Sequence, residues 1–130
     1  MIQTTHGKAY TAYIALSQIR GGVRGMDALH VFHMRNMLRE SVEFLGEEEQ
    51  RLVAEAGGVI TDTGMVVIAD ATKKAAYIKE RVELDRMPCE IQTEPVRIRI
   101  DRCPDVTAEQ IEALDGFVIF EEEVVKDGDE

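Results

Sequence analysis

The sequence has no tryptophan, four phenylalanines, three tyrosines, three prolines and two cysteines. Each scarcity excludes something. With so few aromatic rings, the core must be aliphatic and rich in methionine, of which there are six. Cys89 and Cys103 are too few for the disulfide framework of a small secreted domain, and they fit a reducing compartment. No apolar run approaches the roughly 18–20 residues needed to cross a bilayer, so no membrane partner is expected. The opening stretch MIQTTHGKAY lacks the charged, apolar and small-residue pattern of a secretory leader, and a cytoplasmic protein is expected.

Basic charge is also scarce: 15 Lys and Arg stand against 25 Asp and Glu, a net charge of −10. The imbalance is uneven. Residues 1–40 carry five basic and two acidic side chains, and residues 41–130 carry ten and 23. Direct nucleic-acid binding is not expected on that balance, although a small basic patch on the first two helices stays open. The acidic remainder either meets a basic partner surface or keeps the chain soluble.

What is present is one long amphipathic stretch, Met26 to Gly57. Val31, Leu38, Leu45 and Leu52 recur every seven residues on one helix face. Met34, Val42 and Ala56 widen the stripe, and Phe32, Met37 and Phe44 widen it further in the first half only. The first half is therefore expected to be buried on more than one side, and the glutamate-rich second half to be half-exposed. Arg39 with Glu43 and Glu47 with Arg51 are four apart and suited to pair. Gly46 is the weak point, where a kink or break could fall, since glycine in a helix costs about 1 kcal/mol relative to alanine. The second seam position falls on Ser41 and Glu48, so this is no clean coiled coil. It is a core helix, or one that also forms an oligomer interface.

The remaining elements are short. A first helix over 6–20 carries Ala9, Tyr10, Tyr13, Ile14, Leu16 and Ile19, with Thr4 or Thr5 as its cap. Gly21-Gly22 stops it. Val59-Ile60 and Met65 to Ile68 flank Thr61-Asp62-Thr63-Gly64, a hairpin signal. A third helix over 71–86, capped by Asp70 or Thr72, shows the stripe Ala75, Ile78 and Val82, with Leu84 or Met87 as a further member, and is closed by Pro88. In 89–101 the apolar parity switches at Glu94-Pro95, so a straight strand must break there. The best strand is 96–100, with Arg97 and Arg99 set to pair with acidic neighbours. Thr107 to Gln110 is a capping box opening a fourth helix over 108–115. Gly116 ends that helix, and Phe117 to Phe120 is too short to classify. One α+β domain over 1–120 is expected: a helical hairpin around the long central helix, a third helix and a small antiparallel sheet. Residues 121–130 form an acidic C-terminal tail, expected to be disordered at its end.

Chemistry-bearing patterns are sparse. His30 and His33 supply two candidate metal ligands, but a site needs more and no Cys-x-x-Cys spacing provides them, so no metal and no cofactor is expected. The acid runs at Glu47 to Glu49 and Glu121 to Glu123 lack apolar framing that would shift a pKa. Ser17 and Ser41 show no histidine and acid arrangement. No catalytic residue is assigned, and the chain is not expected to be an enzyme. The one candidate ligand site is the loop before the long helix, where Arg20, Gly21, Gly22, Arg24 and Gly25 could hold an anion on backbone N–H groups. A plain interhelix turn with solvated arginines is the other reading.

The order of elements resembles the short uncharacterised proteins encoded by tailed phages and prophages. The resemblance lies in a first helix such as AYTAYIALSQI, a second with the basic, leucine-containing centre HMRNMLRESVE, and a glycine-containing hairpin. Another helix follows, then the strand VRIRI and the closing segment TAEQIEALDGFVIFEE. The chain departs from that pattern at Pro88 and at Glu94-Pro95. The resemblance implies a phage accessory protein of the host cytoplasm without assigned activity, and it carries over no site residues. The expected function is binding: inhibition of a host or defence protein through the acidic surface, or assembly into a homo-oligomer. Alternatives are an oligomer that sequesters a small phosphorylated ligand and an accessory of particle assembly.

Overall fold

α2, Gly25–Glu55, runs the length of the molecule, and every other element is laid against it or against its neighbours. The structure is a computed structural model that describes residues 1–122. The chain is α+β. In order come β1 (Ile2–Thr5), α1 (His6–Ile19), α2, β2 (Val59–Ile60), β3 (Val66–Val67), α3 (Ala71–Asp85), β4 (Pro88–Ile91), β5 (Val96–Arg99), α4 (Ala108–Ala113) and β6 (Val118–Glu121). Glu121 belongs to β6, so only residues 123–130 of the expected acidic tail lie outside the described residues. Among the described residues no helix is long and apolar enough to cross a membrane.

The caps fall where the side chains can make them. Thr5 Oγ1 accepts from Lys8 N, Asp70 Oδ1 from Lys73 N, and Thr107 and Gln110 form the reciprocal capping box. α2 ends at a Schellman turn: Gly57 N donates to Ala54 O and Gly58 N to Val53 O. Gly57 takes a φ of +68°, which a side chain would strain.

α2 passes through Gly46 without a break. Gly46 is exposed, and a Cβ there would meet nothing within 4 Å. The tertiary contacts of Leu45 and Leu52 on either side hold the helix where local propensity is poor. Gly46→Ala should therefore raise stability by about 0.5–1 kcal/mol, read as a shift of the urea midpoint at constant slope.

The small sheet is divided into three two-stranded ladders, and not all are antiparallel. β1 pairs with β4 and β2 with β3, both antiparallel, whereas β5 and β6 are parallel, with Ile98 opposite Phe120. The Glu94-Pro95 break separates strands of different ladders, which is why the apolar parity changes there. Pro88, lacking an N–H, sits at the first position of β4, where a ladder tolerates it. α4 lies on the crossover between β5 and β6, and pairing with β5 makes a strand of Val118–Glu121, with Phe117 just before it.

Two apolar clusters lie along α2. The larger gathers Ile2, Ala9, Ala12, Leu16, Val31, Met34, Leu38, Ile91, Ile98, Leu114 and Phe117 with their neighbours. The smaller holds Leu45, Leu52 and Leu84, with Phe44 and Tyr77 against it. Tyr77 Oη and Arg81 Nε both donate to Glu49 Oε2, at 3.1 and 3.0 Å, and Arg81 also pairs with Asp85. Arg51 pairs with Glu48 and Glu55 rather than Glu47. Arg39 and Glu43 form no ion pair among the described residues.

Candidate functional site

The helices turn their small residues inward and leave bulky ones outside. In α1 the buried residues are Ala9, Ala12, Ala15, Leu16 and Ile19, while Tyr10 and Ile14 are exposed. Alanines let α1 lie close on α2, so the larger members of the stripe are pushed to the opposite side. α2 departs from expectation in its first half. Val31, Met34 and Leu38 are buried, but Met26, Leu29 and Phe32 are 63%, 57% and 63% exposed. They lie within two turns on the side away from the core, so the first half of α2 has one side left uncovered. In α3 the core takes Leu84, with Tyr77 and Arg81 partly covered, while Ala75, Ile78 and Val82 face out. The hairpin adds Val59, Met65 and Val67 to the exposed apolar surface. Contiguous exposed patches of this kind mark interaction sites more often than accidents.

The five residues of the glycine loop are all exposed. Arg20, Gly21 and Gly22 form a 3₁₀ turn, Arg24 precedes α2 without a capping side chain, and Gly25 opens the helix at a φ of +65°. Asp27, buried in the first turn of α2, sets a carboxylate at the helix's positive end, and its Oδ2 accepts from Arg99 N at 3.3 Å. Of the five, only Gly22 borders the small cleft of about 90 Å³ beside this loop. That cleft is lined by Asp105 and Gln110 and by neither arginine. Asp27 thus works against an anion at this helix end, and neither arginine borders the cleft.

His30 and His33 do not converge. His30 Nδ1 lies 2.7 Å from Arg97 O, and His33 Nε2 lies 2.9 Å from Thr93 Oγ1. They tether α2 to the start of β5, and neither faces α1. No group of three or more His, Cys, Asp or Glu among the described residues could hold a metal ion. Arg97 pairs with Glu121 and Arg99 with Asp101.

The fold also assembles a polar cluster around Ser41 that local sequence does not reveal. Ser41, buried on α2, lies 2.6 Å through Oγ from Nδ1 of His6, and the Cys89 thiol also bonds to Ser41. The His6 ring packs on Phe44 at 4.7 Å. Ser41, for which the sequence shows no histidine and acid arrangement, does meet a histidine, 35 residues away and brought to it by the α1–α2 packing. Burial pushes the Cys89 thiol up, with the Ser41 bond opposing in part, and burial pushes His6 down. A protonated thiol and a buried hydroxyl beside a desolvated imidazole make poor nucleophilic machinery. The cluster instead joins α1, α2 and β4.

The lowered His6 pKa gives a pH dependence of known sign. Below about pH 6.5 the unfolded chain takes up this proton first, so stability falls as pH falls from there toward the depressed folded value and then levels off. His6→Gln should flatten that portion of the urea-midpoint profile relative to the parent. Parallel profiles would show that other groups set the slope.

Two open grooves of about 550 and 570 Å³ run between α1 and α4. They share Thr11, Glu109 and Ala113, and the first also carries Glu112, Asp115 and Lys8. Compared with protein-family models, curated proteins and solved structures, the chain matches none.

Proposed function

We propose that the chain is a non-enzymatic binding protein, an accessory of the phage and prophage kind its element order resembles, and that it acts by occupying a host or defence protein. One observation carries this reading: Met26, Leu29 and Phe32 stand exposed on the first two turns of α2. Leaving them in water forgoes about 1.5–3 kcal/mol for each such side chain that a partner could bury. The surface argued for is apolar, with charge at its edges, rather than the acidic surface alone.

Self-association through the same face is the second reading, favoured by the same exposure, since the apolar patch of one copy can be buried against that of another.

Leu29→Glu combined with Phe32→Glu separates these readings from a bland surface. Both positions are exposed, so the fold should survive, as circular dichroism would register. The parent should capture a host protein or sediment above the monomer, and the variant should lose that binding by at least about tenfold. A variant with the parent's captured proteins and sedimentation coefficient would remove the assignment.

A further inference from the structure

We propose that the outer face of α3 is a docking seam for an acidic amphipathic helix of another protein. Ala71, Ala75, Ile78 and Val82 recur at alternating intervals of four and three, the repeat of a two-helix seam. The core-facing stripe of α3 is a different one, through Tyr77, Arg81 and Leu84. The seam is left in solvent, with Ile78 52% and Val82 41% exposed.

The flanks identify the occupant. Lys74 and Arg81 border the seam on one side, and Lys79 and Arg86 on the other. Arg81 is held by Glu49 and Asp85. Lys74, Lys79 and Arg86 enter no ion pair among the described residues, in a chain with ten more acidic than basic side chains. A second copy of α3 does not fit. Parallel pairing sets one flank against the other, antiparallel pairing sets each against itself, and both oppose like charges. An anionic membrane fits poorly: the seam is narrow, two of its four residues are alanine, and the chain's net charge of −10 is repelled by such a surface. A helix with leucine along its seam and glutamate on both flanks meets Ile78 and Val82 with apolar surface and Lys74, Lys79 and Arg86 with opposite charge, while Asp85, next along the seam, is already paired with Arg81.

This surface is separate from the α2 face, so its test does not depend on the Leu29 and Phe32 variants. The intact chain would be titrated with a synthetic helix bearing leucine at the seam and glutamate on the flanks, and with its lysine-flanked counterpart. Binding of the acidic helix, weakened by salt and at least about tenfold tighter than that of the basic one, is expected. Ile78→Asp should abolish it. The combined K74E, K79E and R86E variant should reverse the preference, which a mere loss of folding cannot do. Equal affinity for both helices, or binding to neither, overturns the proposal. So does binding to anionic vesicles with none to the acidic helix, or a disulfide between two copies of an Ile78→Cys variant.

Discussion

Leu38→Ala should lower the free energy of unfolding by about 3–5 kcal/mol, a large share of what a domain of this size has. Leu38 is wholly buried at the middle of α2, in the larger cluster. The cost combines the lost burial of its side chain with a cavity that the surroundings cannot fill. α1, β4 and β5 all meet α2 along this half, so collapse toward the gap would strain several contacts at once. Urea unfolding should show a lower midpoint at unchanged slope, with all probes moving together. A loss below about 1 kcal/mol would mean that Leu38 does not occupy the centre assigned to it.

Leu84→Ala carries the same chemistry to the other cluster and should behave differently. That cluster has three buried residues, Leu45, Leu52 and Leu84, so removing one takes a third of its buried members. A cost of about 2–4 kcal/mol is expected, borne by α3, the hairpin and the end of α2 rather than by the whole chain. Hydrogen exchange should accelerate strongly in 71–85 while amides of α1 and of α2 near Leu38 keep their protection. Uniform acceleration across the chain would show that the two clusters open as one.

The helices were legible because their periodicity, caps and glycine stops are local. Thr5, Asp70 and Thr107 cap as their side chains allow, and Gly57-Gly58 stops α2 where the pattern fades. The exposed faces were harder to read. A stripe such as Tyr10 and Ile14, or Ala75, Ile78 and Val82, shows that a helix has an apolar side, but not that the same molecule covers it. Close helix packing selected the alanines of α1 and left the bulky residues out. Partners distant in sequence were illegible for a related reason. β1 reads as a plain N-terminal segment until Ile2 meets Ile91, and β6 as a short apolar run until Val118 meets Val96. The His6, Ser41 and Cys89 cluster joins three elements, and none of the three residues sits in a motif. The glycine loop was conspicuous in sequence, yet Asp27, the residue that governs its electrostatics, draws notice only once its burial is seen.

Because one helix serves two clusters of unequal size, the molecule is divided into a part that must stay fixed and a part free to vary. Paired substitutions placed one in each cluster should add, whereas pairs within a cluster should not. Changes on the far half, from Leu45 through Val82, should therefore disturb the packing around Leu38 little, whereas the end of α3 at Asp85 lies against Gly7 of α1. A chain built this way can be refitted to a new partner at one end while the other end continues to hold its shape.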